Sequence, residues 1–194
     1  MRFSLSILAV VLTFTWLVAP VAPQAAPAAV AAVLALAIWR AARSGDWGVR
    51  RSALLPSLAW CAALTAAGVL AIYLAGSRLG TWRPRPDPWG NLLVLIPWGL
   101  GQQFALHTVF LREAQATLSR PAGIWLAALL FAALHLPNPF LTVMTGIGAL
   151  AWCWIYDRYP NLLPMALSHA LLTLAILYAF DDTITGRLRV GAAF

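Results

Sequence analysis

The chain has 194 residues, of which 62% are hydrophobic and only 10% charged, against roughly 25% charged in an ordinary soluble domain. A water-facing surface cannot be built from so few charges, so the composition excludes a soluble globular protein and implies an integral membrane one. The formal charge of +7 is carried by arginines alone, since lysine is absent; these are scattered between apolar runs, as in proteins that face anionic lipid, with no basic stripe or recognition motif for nucleic acid.

A bilayer core takes about 20 apolar residues per helix. That ruler divides the chain into about seven predicted spans, near 3–19, 26–39, 53–75, 89–110, 122–136, 139–156 and 161–180. The fold expected is all-α, a polytopic transmembrane helix bundle with a polar site between the later helices. Residues 1–88 supply amino-terminal helices, 89–180 the site-bearing helices and 181–194 a short tail. Polar or proline-rich breaks fall at 40–51, 78–88, 112–121 and 157–160. The Ala/Pro-rich stretch 19–29 has the form of a signal-peptide end, but the apolar run before it is long for one, which favours a retained helix. With the amino terminus inside, the arginines divide eight inside to five outside, Arg78, Arg83, Arg85, Arg187 and Arg189 forming the outer set. The excess supports an inside amino terminus. Cys61 and Cys153 sit within apolar runs with no metal or redox spacing. The ten tryptophans suit membrane interfaces, and Gly146 and Gly148 suit close helix packing.

Against this apolar background, the later spans carry Gln102, Gln103 and His107 on one segment, His135 on the next and His169 on the last. These are the chain's only three histidines. Polar groups at membrane depth are costly unless paired, so they face a bundle interior or cavity and mark function. Gln103 and His107, four apart, fall on one face of an α-helix. Counted from a shared loop side, Gln102, His135 and His169 lie within about two turns of one level. Pro137 and Pro139 end or bend the helix just after His135. The alternative is that these groups only hydrogen-bond neighbouring helices. The single glutamate, Glu113, lies off that face and near a loop.

Three short motifs resemble the signature of the CPBP family, polytopic membrane proteins related to type II CAAX prenyl endopeptidases and to bacteriocin-processing or immunity proteins. Phe131-Ala132-Ala133-Leu134-His135 is similar to the family's Phe-x-x-x-His element. Ser168-His169-Ala170-Leu171-Leu172-Thr173 is similar to its His-x-x-x-Asn element, with Thr173 in place of the Asn. Gln102-Gln103-Phe104-Ala105-Leu106-His107 stands where the family has Glu-Glu-x-x-x-Arg, with both glutamates replaced by glutamine and the arginine by histidine. The resemblance covers about residues 89–180. It implies an intramembrane peptidase acting on a peptide or lipidated peptide, with catalytic residues Gln102, Gln103, His135, His169 and Thr173. In that assignment Gln102 and His135 hold the attacking water, Gln103 assists, and His169 with Thr173 faces the developing negative charge.

A glutamine amide orients a water but is no general base near neutral pH, so the ordinary glutamate mechanism fails. Two substitutes arise from the residues. His107, His135 and His169 are candidate ligands of a divalent metal such as zinc, which would acidify a bound water. Alternatively His135 acts as base without metal. The competing functions are a catalytically silent binding or immunity-type protein, and a membrane enzyme of another class acting on a lipid or isoprenoid. The expected partners are the lipid bilayer and a peptide, lipidated peptide or lipid substrate, in a prokaryotic-type inner or plasma membrane crossed several times.

Overall fold

The computed structural model describes residues 1–83 and 86–194; Pro84 and Arg85, in the break expected at 78–88, lie outside the described residues. The described chain is helical, with no β-strand among the described residues. Five helical stretches are long and apolar enough to cross a membrane: Pro23–Ser44, Arg51–Leu79, Pro88–Gln115, Pro139–Arg158 and Leu162–Ala179. Two shorter apolar helices, Arg2–Val18 and Arg120–Ala133, fall at the first and fifth expected spans. The architecture is therefore an all-α membrane bundle.

In chain order the α-helices are α1 (Arg2–Thr13), α2 (Ala26–Ser44), α3 (Leu54–Leu79), α4 (Pro88–Phe104), α5 (Arg112–Gln115), α6 (Arg120–Ala133), α7 (Pro139–Arg158), α8 (Leu162–Ala179) and α9 (Asp182–Thr185). Local chemistry sets several ends. Gly45 and Gly80 close α2 and α3 in the left-handed conformation that glycine adopts without penalty. Asn161 opens α8 by accepting the Leu163 N–H at 3.1 Å, an N-cap. Prolines stand in the first turns of α2 and α6, where the missing N–H costs nothing.

The chain forms two compact units. The first comprises Met1–Gly48, Phe104–Trp154 and Leu188–Phe194. Its centre is a π-helical segment, Ala105–Leu111, in which every residue is buried; α1, α2 and α6 pack on it. π-helical turns bond i to i+5 and recur at functional sites. The helix is therefore α only as far as Phe104, and His107 lies in the π stretch. Glu113 caps α1 from a distance: its carboxylate accepts the Ser4 N–H at 2.8 Å and the Ser4 hydroxyl at 2.6 Å, and the Phe3 N–H at 3.2 Å. A negative group suits the positive end of a helix, and the role explains a lone glutamate without catalysis. Arg112 pairs with Asp46 at 2.9 Å.

The second unit comprises Val49–Gln103 and Ile155–Arg187, and α3 against α8 is its main packing. Small residues bring these two helices together, as is usual where lipid supplies no hydrophobic drive. A Cβ on Gly76 would fall 2.5 Å from the Ala179 carbonyl oxygen. Thr65 donates its hydroxyl to the Ser168 hydroxyl at 2.8 Å. The loop before α8 is stitched to the start of α3. Arg50 N–H donates to the Pro160 carbonyl at 3.0 Å, and the Asn161 amide donates to the Arg50 carbonyl at 3.1 Å.

Candidate active site

In the second unit, α4 brings Gln103 to α8. Gln103 is fully buried and His169 is 7% exposed, and the Gln103 Nε2 lies 3.0 Å from the His169 Nδ1. An amide nitrogen has protons to give and no lone pair to accept with, so it is the donor. His169 Nδ1 is then the acceptor, and the neutral ring carries its proton on Nε2. Close approach of the two helices makes this bond available. Gly99 lies one turn before Gln103, and a Cβ there would sit 3.1 Å from the Ala166 carbonyl oxygen and 3.5 Å from the His169 Cβ. Gln102 and Thr173, half-buried on α4 and α8, belong to the same unit.

In the first unit, His135 stands just beyond the end of α6, where the following prolines prevent the helix from continuing. Its Nδ1 lies 2.8 Å from the Phe131 carbonyl oxygen. A carbonyl only accepts, so here Nδ1 carries the proton and Nε2 keeps its lone pair. The Phe131 ring meets the imidazole edge-on, with centroids 5.1 Å apart. The turn holding His135 is framed by Asn138, whose side chain accepts the Leu141 N–H at 3.0 Å and donates to the Arg189 carbonyl at 3.0 Å. Gly191 N–H adds a bond to the Leu136 carbonyl at 2.8 Å. His107 is also in this unit and fully buried.

The pairing of Gln103 with His169 joins two of the residues that the sequence singled out. The two tautomers were not visible there, because each depends on the partner of a single nitrogen. Gly99, Asn138 and the Thr65–Ser168 pair escaped notice too. Gly99 had a signal, being a small residue one turn from the polar pair; Asn138 had one in its position between two prolines.

The ring protons make the two histidines chemically unlike. His135 offers a lone pair at Nε2, the requirement for a base or metal ligand, whereas His169 offers an N–H at Nε2, the requirement for holding an oxyanion. Within neither unit do three or more described His, Cys, Asp or Glu side chains form a group able to hold a metal ion. Residues 84–175, which contain both histidines, match the family model described as Rce1-like, type II CAAX prenyl endopeptidase. No curated protein and no solved structure matches the chain. With the motif-bearing stretch matched and the apolar helices around it, the chain is a multi-pass integral membrane protein that is similar over residues 84–175 to the type II CAAX prenyl endopeptidases.

Proposed function

We propose that this protein is an intramembrane peptidase of CAAX-protease type that works without a carboxylate base and acts on a peptide or lipidated peptide. One observation carries the proposal: His169 turns Nδ1 to an amide nitrogen and His135 turns Nδ1 to a backbone carbonyl oxygen, which assigns the protons of the two neutral rings to opposite nitrogens. His135 Nε2 takes a proton from water as the water oxygen attacks the scissile carbonyl carbon. His169 Nε2–H, with Thr173 beside it on α8, receives the negative charge that develops on the carbonyl oxygen. The imidazolium of His135 then gives its proton to the amide nitrogen as the C–N bond breaks, leaving a carboxylic acid and an amine. Gln102 orients the water. The membrane setting is the prokaryotic-type inner or plasma membrane.

His169, as bonded, has no lone pair to offer a metal, because Nδ1 accepts from Gln103 and Nε2 is protonated. A centre made of His107, His135 and His169 would need the Gln103 bond turned round. Elemental analysis of wild type beside the triple His→Ala variant tests that requirement: stoichiometric zinc lost in the variant would overturn the metal-free mechanism. A silent binding protein is favoured by one fact, the amides at both glutamate positions. Purified protein in lipid nanodiscs, given quenched-fluorescent peptides with and without a carboxyl-terminal isoprenyl group, decides between the two. Cleavage abolished by His135→Gln supports the peptidase. Cleavage gained only with Gln102→Glu and Gln103→Glu would instead make the wild type a disabled relative.

A further inference from the structure

We propose that Gln103 is a positioning residue whose amide fixes His169 as the Nε2–H tautomer, so that glutamine at this position leaves Nδ1 bare where a carboxylate would protonate it. The bond geometry leaves one assignment. Nε2 of the amide lies 3.0 Å from Nδ1 of the ring, and both residues are buried. The amide must donate, so Nδ1 must accept. A doubly protonated ring would turn an N–H toward the amide NH₂ and lose the bond.

The same position filled by a carboxylate has the reverse effect. A carboxylate accepts only, so it would draw a proton onto Nδ1, either in place of the one on Nε2 or in addition to it as an imidazolium. The exchange of glutamate for glutamine is therefore not a plain loss of function at 103: it changes what the neighbouring histidine presents. The surroundings hold the arrangement in place. Gly99 admits His169 to within van der Waals reach of α4, and the Thr65–Ser168 hydroxyl pair fastens the residue preceding His169 to α3. The use of the donor in catalysis rests on the peptidase reading; the tautomer itself does not.

Nitrogen-15 NMR on protein labelled only in histidine reads the ring protonation directly. Three histidines in the chain make assignment possible by loss of one signal set, using His169→Asn for the residue in question and His135→Asn for the control. In wild-type protein His169 is expected to show a protonated Nε2 and a bare Nδ1, and His135 the reverse. Gln103→Glu is expected to place a proton on the His169 Nδ1, and Gln103→Met, close in size but without an amide, to leave a mixture. A wild-type His169 protonated on Nδ1 overturns the proposal, as does a Gln103→Glu protein whose His169 keeps a bare Nδ1. Neither readout requires turnover, so a protein inert on every peptide with the expected tautomers would sink the peptidase reading alone. Where turnover is present, Gln103→Met should lower kcat by up to about 10²-fold, the loss expected for one oxyanion donor, with KM little changed.

Discussion

His135 and His169 are fixed in different ways. His135 is bonded to the main chain of its own helix, through a carbonyl four residues earlier; His169 is bonded to a side chain on another helix, 66 positions away in sequence. A backbone carbonyl is present whatever residue occupies position 131, so the tautomer of His135 is written into local geometry. That of His169 depends on the identity of one distant residue. A single substitution can therefore invert the chemistry at one histidine and has no direct means of doing so at the other.

The widest effects are expected on turnover, and they probe whether the two histidines really hold opposite roles. On the peptidase reading, His135→Gln should lower kcat by about 10² to 10⁴, the usual contribution of a general base. His169→Phe should lower it by about 10² to 10³, as for an oxyanion donor. Equal losses with an unchanged pH profile for both would erase the distinction. Stability comes next. Gln103→Leu removes the donor to a buried ring nitrogen and should cost about 1–3 kcal/mol, the range for a stranded buried polar group, measured by unfolding in mixed detergent micelles. Phe131→Leu loses the edge-on ring contact but must leave the His135 proton on Nδ1; a changed tautomer would show that the backbone bond does not govern it.

Smaller effects sharpen the same contrast between local and distant control. Asn161→Ala deletes the cap of α8 and the bond to the Arg50 carbonyl, with a loss of about 1 kcal/mol and no change in the His169 tautomer. At the far end of α8, Asp181 is exposed, and the Thr183 hydroxyl, followed by the Ile184 N–H, holds its carboxyl below the ordinary aspartate range. Because the folded value is depressed, the stabilisation is complete above the unfolded value and is lost as pH falls through the folded one. The amide resonances of Thr183 and Ile184 should therefore stay constant near neutrality and move only below the ordinary aspartate range. Movement near pH 6 would assign the cap to another group.

The helices and the motif residues were legible because composition and hydropathy act over long runs, so even the order of the seven apolar segments could be read. The first and fifth came out shorter than a full span. A window of apolar residues does not register where a helix changes to π bonding, as after Phe104, or where it must stop before a proline, as after Ala133. The Gln103–His169 pair was legible as residue types, since histidines and glutamines in oil are conspicuous. Its chemistry was not, since a donor and an acceptor differ by one proton that only the geometry around Gln103 and Phe131 assigns. Glu113 illustrates the converse, an acidic residue whose use as a remote helix cap no spacing announces.

The segment 188–194 is bonded to the His135 turn through main-chain atoms of its own, the Arg189 carbonyl and the Gly191 N–H. Gly191 itself has a φ of 65° and is seated against the Thr15 backbone, where a Cβ has no room. Such a contact sets an uneven tolerance to change across three consecutive positions. Arg189 and Val190 can be exchanged for residues of other character, since no side chain of theirs is needed for the bonds to the turn. Gly191 can be exchanged for nothing, and drift in this short tail is permitted or forbidden by backbone shape instead of by chemistry.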